Sequence, residues 1–175
     1  GSVFGGGNAA ATGREETNNS ISTVNIAGGI IYGNVYGGAN TSVVYGVTRL
    51  NLGSETIQDT NLTKSAIYIR GTIFGGGEAN AEGSEVYDFS FISVTQGIEI
   101  EINGEGHTSF KTEGSIFGSG NASSTSGYSY INIRNYGTIQ SPNRNISIQR
   151  SDTVTIENSA ILLLGTTDST NELSW

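Results

Sequence analysis

Gly71-Thr-Ile-Phe-Gly-Gly-Gly-Glu-Ala79 is one of four copies of a single pattern. The others are Gly1-Ser-Val-Phe-Gly-Gly-Gly-Asn-Ala9, Gly33-Asn-Val-Tyr-Gly-Gly-Ala-Asn40 and Gly114-Ser-Ile-Phe-Gly-Ser-Gly-Asn-Ala122. The shared form is Gly, polar, Val or Ile, Phe or Tyr, Gly, two small residues, then Asn or Glu. Successive copies start 32, 38 and 43 residues apart. A fixed motif at uneven spacing implies units whose cores stack while the loops between them vary in length.

A second anchor follows the first. Gly46 and Gly127 each stand thirteen residues after a motif glycine, and Leu50-Asn51-Leu52 and Ile131-Asn132-Ile133 begin seventeen residues after the same glycines. Val24-Asn25-Ile26 repeats this feature behind a longer loop that holds Arg14-Glu15-Glu16. The third unit matches least well, with Phe89-Ser90-Phe91 near the expected place of its anchor. Period-2 alternation at Val24/Ile26, Ile67/Ile69, Ile98/Ile100/Ile102, Ile146/Ile148 and Val154/Ile156 predicts short strands with Asn, Glu, Ser or Thr facing outward. No segment predicts an amphipathic helix longer than two turns. Asp152 to Ser159 reads as a diverged fifth unit, and Ala160 to Leu164 as an apolar run.

The expectation is an all-β chain: a β-solenoid, in form a right-handed parallel β-helix with variable loops. Residues 1–175 make a single domain, with units starting near 1, 33, 71 and 114 and a degenerate one near 152. Stacking at ~4.8 Å would align like side chains into ladders. These are Val3/Val35/Ile73/Ile116, Phe4/Tyr36/Phe74/Phe117 and Asn8/Asn40/Glu78/Asn121. The glycine run is expected to take positive φ at a tight corner. Strict alternation sets the aromatics opposite the aliphatics, whereas a bend at the glycines turns both inward; the sequence allows either. It also allows one large rung or two small ones per unit.

The four motif copies resemble the repeat regions of very large cell-surface proteins of Gram-positive bacteria, as do Ser147 to Ser159 and Gly165 to Asn171. The resemblance implies a β-helical, exported, adhesin-like segment on the bacterial cell surface. It carries over no catalytic residue.

Composition narrows the function. Eight Lys and Arg stand against sixteen Asp and Glu, a net charge of −8. The cations are scattered in sequence, which argues against nucleic acid as a partner. There is no Cys, so disulfides, thiolate metal sites and a Cys nucleophile are excluded. Cys-free chains rich in Ser, Thr, Asn and Gly suit export. The absence of Met predicts a fragment of a larger protein. No apolar stretch reaches the ~18 residues of a membrane span, so no membrane insertion by this segment is expected.

Candidate chemistry is sparse. Glu78, Glu82, Glu85 and Asp88 form an acidic cluster that reads as a solvated loop with at most adventitious Ca²⁺, and no cofactor is expected. Glu99 and Glu101 share a strand face, with Lys64, Lys111 and the arginines (Arg14, Arg49, Arg70, Arg134, Arg144 and Arg150) as the basic residues that could join them in a lyase-like site. His107 lies in a Gly-rich loop with Glu105 and Ser109 and lacks the strained turn of a catalytic serine. The glycine runs lack the Gly-Lys-Ser/Thr of a phosphate loop. Among the eight tyrosines, Tyr45, Tyr87 and Tyr128 lie 12, 16 and 14 residues past their motif glycines and are the candidate ligand-binding residues. The expected function is a non-enzymatic adhesin or stalk segment presenting a surface to a host or microbial glycan or protein. The alternative is a carbohydrate-binding module or polysaccharide lyase-like enzyme on the same scaffold, favoured if acidic and basic residues converge in one groove.

Overall fold

The computed structural model describes residues 1–53, 66–78, 91–104, 110–121, 123–134 and 148–157. Its elements are all β. The first repeat supplies β1 (Val3–Phe4), β2 (Ser20–Ile26) and β3 (Gly29–Ile31). The second supplies β4 (Val35–Tyr36), β5 (Gly46–Leu52) and β6 (Ile67–Ile69). The third supplies β7 (Ile73–Phe74), β8 (Ile92–Val94), β9 (Gly97–Asn103) and β10 (Phe110–Thr112). The fourth supplies β11 (Ile116–Phe117), β12 (Ser124–Thr125) and β13 (Tyr128–Arg134), followed by β14 (Ile148–Gln149) and β15 (Thr153–Glu157).

Every pairing between these strands is parallel, and each sheet takes its strands in chain order. The motif sheet runs β1-β4-β7-β11-β14, the large sheet β2-β5-β9-β13-β15 and a third sheet β3-β6-β10. A short β8-β12 pair is continued toward the first two repeats by the bridges Thr12↔Val44 and Val44↔Val94. Parallel neighbours need a crossover of a dozen or more residues, usually helical. Here the crossover is the rest of the repeat, which contributes further strands. Among the described residues each repeat places one strand in each sheet it reaches.

The motif ladders form in the register read from the sequence: Val3↔Val35, Val35↔Ile73 and Ile73↔Ile116, with the aromatics beside them. Val35 and Tyr36 are both fully buried, so neither ladder faces solvent there. The aliphatic ladder joins the main core with the inward residues of the large sheet, such as Leu50, Ile100 and Ile131. The aromatic rings stack on one another, Phe4 on Tyr36 at 4.6 Å, Tyr36 on Phe74 at 5.0 Å and Phe74 on Phe117 at 5.1 Å. Gln149 interrupts the aromatics in β14, and the Arg150 guanidinium covers Phe117 instead, 4.5 Å from its centroid. In the polar ladder Asn40 Nδ2 donates to Asn8 Oδ1 at 2.6 Å.

The structure differs from several expectations. The motif glycines do not adopt positive φ; that conformation belongs to Gly13, Gly29, Gly46 and Gly53. They are required by close backbone approach. A Cβ on Gly5 would lie 2.3 Å from Gly37 O, and one on Gly37 2.3 Å from Gly75 O. Buried hydroxyls of the large sheet fill the remaining space: Ser22 Oγ donates to Gly37 O at 3.1 Å and Thr48 Oγ1 to Gly75 O at 2.7 Å. Phe89 and Ser90 lie outside the described residues, and the third anchor is Ile100-Glu101-Ile102. Leu50-Asn51-Leu52 aligns with Ile100-Glu101-Ile102, because the third repeat carries its extra residues before the large sheet rather than after it. The fifth motif strand begins at Ile148, ahead of Asp152, and Thr153–Glu157 belongs to the large sheet.

Candidate functional site

Alternation along the large sheet turns every second residue outward, and the parallel register aligns these into two exposed ladders. One is Thr23, Arg49, Glu99, Tyr130, Thr153; the other is Asn25, Asn51, Glu101, Asn132, Thr155. Together with Arg134 they line an open groove of about 1000 Å³. Its floor is the backbone of five strands, and the core lies directly beneath.

The groove's charges are paired across strands. Arg49 Nε donates to Glu99 Oε2 at 2.6 Å, and Arg134 Nε to Glu101 Oε1 at 2.7 Å. Asn132 Nδ2 adds a bond to Glu101 Oε2 at 2.8 Å, and Asn51 Nδ2 donates to Asn25 Oδ1 at 2.7 Å. Asn132 Oδ1 is buried and accepts no hydrogen bond among the described residues. These ion pairs are partly exposed, so each adds no more than about 1 kcal/mol to stability. Their main effect is to hold four long side chains in place.

Tyr130 lines the groove, and Tyr128 packs against it. Tyr128 OH donates to Glu99 Oε1 at 2.8 Å, and that bond, with some burial, raises its phenol above the ordinary tyrosine value. Its ring lies over Gly97, where a Cβ would sit 2.4 Å from ring carbon. The Tyr130 ring stacks on Tyr128 at 4.8 Å and is 48% exposed.

The sequence-derived candidates distribute unevenly. Tyr128 borders the groove through Glu99. Tyr45 is half-buried just before β5, two register positions short of the place Tyr128 occupies in β13, so the two do not share a ladder. Tyr87 lies outside the described residues, as do Lys64, Glu82, Glu85, Asp88, Glu105, His107 and Ser109. Lys111 is on β10 in the third sheet, while Glu99 and Glu101 are on β9 in the large one, where their basic neighbours are Arg49 and Arg134. Arg49 and Arg134 belong to the arginines that the sequence offers as basic partners, whereas Tyr130, Asn51 and Asn132 are lining residues outside the sequence-derived candidates. The signal for all five is the outward alternation in and beside each apolar-polar-apolar anchor, which becomes a surface only once the strands are aligned.

Among the described residues no group of three or more His, Cys, Asp or Glu is placed to hold a metal ion, and no helix is long and apolar enough to cross a membrane. No family model, curated protein or solved structure matches the chain.

Proposed function

We propose that the chain is a right-handed parallel β-helix, a β-solenoid segment of an exported bacterial surface protein, and that it acts as a non-enzymatic adhesin or stalk whose large sheet presents a glycan-binding face. The four parallel sheets, each taking its strands in chain order, support the solenoid. The Cys-free, Gly-, Ser-, Thr- and Asn-rich composition and the resemblance to Gram-positive surface repeats support export. The observation that carries the binding function is the groove: a polar, partly aromatic surface whose side chains are fixed by one another before any ligand arrives.

Acidic and basic residues do converge there, which is the feature a lyase-like or hydrolytic site would need. Their arrangement favours binding over turnover. Glu99 and Glu101 sit side by side on one strand, not across a cleft as a glycosidase pair does. Each is engaged by an arginine, and Arg is not deprotonated at ordinary pH, so neither arginine supplies a base.

A glycan array probed with the purified chain, run beside reducing-end and unsaturated-product assays, tests the proposal. Saturable saccharide binding without product is expected. Product formation that is lost in Glu99→Gln or Glu101→Gln would replace the adhesin with an enzyme.

A further inference from the structure

We infer that the groove takes a linear, uncharged polysaccharide lying across the strands, along the direction in which the repeats stack, with Tyr130 as the stacking platform. This rests on the glycan-binding proposal above and specifies its ligand. The shape sets the direction. The lining residues occupy two outward positions per strand, and on β13 a third, but extend over all five strands from Thr23 and Asn25 on β2 to Thr153 and Thr155 on β15. Two outward positions span only about 7 Å, whereas five strands span about 19 Å. The groove is therefore long across the strands and narrow along them. The strand spacing of ~4.8 Å is also close to the length that one pyranose adds to an extended chain. A polysaccharide in this direction meets a new strand, and a repeated set of polar groups, with each sugar.

The charge pattern sets the class. Two arginines and two glutamates neutralise one another in Arg49–Glu99 and Arg134–Glu101. A uronate or sulfated sugar would have to strip a glutamate from its arginine, and would do so on a chain of net charge −8. A cationic sugar would have to strip an arginine from its glutamate. An uncharged sugar leaves both pairs intact. Its hydroxyls donate to carboxylate lone pairs and accept from the Arg49 guanidinium, whose N–H groups a single ion pair does not exhaust. The apolar face of a pyranose needs an aromatic partner, and Tyr130 supplies one that is half exposed and held by its stack on Tyr128.

Calorimetric titration at neutral pH tests this with two sets of probes. The uncharged set is cellohexaose, xylohexaose, mannohexaose and N-acetylchitohexaose; the charged set is hexagalacturonate and chitosan hexamer. At least one uncharged probe should bind. Its affinity should rise with chain length and level off at about four or five sugars, the number that five strands accommodate. Tyr130→Ala should weaken it at least tenfold, about 1.4 kcal/mol, while Tyr130→Phe and Tyr32→Ala keep it within about twofold. Tyr32 is exposed outside the groove, so it controls for loss of any surface tyrosine. A thermal melt confirms that Tyr130→Ala is folded. Tighter binding of a charged probe, or unchanged affinity in folded Tyr130→Ala, overturns the inference and leaves the glycan-binding face standing. If neither set binds, the glycan-binding face falls, and the inference with it.

Discussion

Replacing Gly37 by alanine tests why the motif carries glycine at that position. Gly37 has an ordinary negative φ, so the backbone itself accepts alanine. Space does not. The new Cβ would lie 2.3 Å from Gly75 O and 3.1 Å from Thr48 Cβ, where real Cβ contacts essentially never fall below 3.0 Å. The obstacle is backbone of the next repeat, which no rotamer change relieves. Moving it aside strains Gly37 N–H to Phe74 O at 2.9 Å, Gly38 N–H to Gly76 O at 3.1 Å and Thr48 Oγ1–H to Gly75 O at 2.7 Å. Two or three weakened bonds at about 1 kcal/mol each, with an overpacking cost of about 1–3 kcal/mol, give a loss of roughly 3–6 kcal/mol. Against a usual total of ~5–15 kcal/mol that is a large fraction. Two controls separate the causes. Gly1→Ala, with nothing within 4 Å of the new Cβ, should be neutral. Gly29→Ala, at φ 102° but with open space, should cost only about 1–2 kcal/mol from backbone conformation. Urea denaturation followed by circular dichroism reads all three. A Gly37→Ala midpoint indistinguishable from wild type, or a loss no larger than that of Gly29→Ala, would refute the close-approach argument.

Ile116→Asp places a charge in the fully buried aliphatic ladder between Ile73 and Ile148, and should cost several kcal/mol, with hydrogen exchange rising in the strands on both sides. Thr48→Val keeps the shape but leaves Gly75 O without its hydroxyl donor, and should lower unfolding free energy by about 1–3 kcal/mol in urea titration. Burial pushes the Tyr36 phenol from 10.0 up to about 12. A phenol with a raised folded value binds its proton more tightly when native, so its contribution is complete below pH 10 and is lost as pH rises toward 12. At 1.36 kcal/mol per pH unit, stability should fall by roughly 2–3 kcal/mol across that window. Thermal melts from pH 8 to 12 should show the decline in wild type and a smaller one in Tyr36→Phe.

Much of the scaffold was legible before any coordinates because the motif is repeated. Four copies of one pattern at 1, 33, 71 and 114 fix which residues stack, and Val3/Val35/Ile73/Ile116 and the aromatics beside them align as the copies dictate. What failed was local cause and local register. The glycines suggested positive φ because that is the commoner reason for glycine, whereas here the reason is a neighbouring carbonyl that sequence does not locate. The third repeat matches poorly because its extra residues precede the large sheet, so Ile100-Glu101-Ile102 begins 29 residues after Gly71 instead of seventeen. The groove was illegible for a related reason. Arg49 and Glu99 are 50 residues apart, and Arg134 and Glu101 are 33 apart. Cations that look scattered along the chain become partners only when strands from different repeats are set side by side. Tyr128 was reachable from its offset to a motif glycine; Tyr130, two residues on, had no offset to mark it.

The claim that the outward face of the large sheet is the binding surface is tested most directly by a ¹⁵N–¹H titration of the chain with a bound uncharged hexasaccharide. Saturable shifts should concentrate in β5, β9 and β13, around Arg49, Glu99, Glu101 and Tyr130, with the third sheet unmoved at Ile30 and Tyr68. Shifts centred on the third sheet or the motif loops, with β9 and β13 silent, would contradict the account.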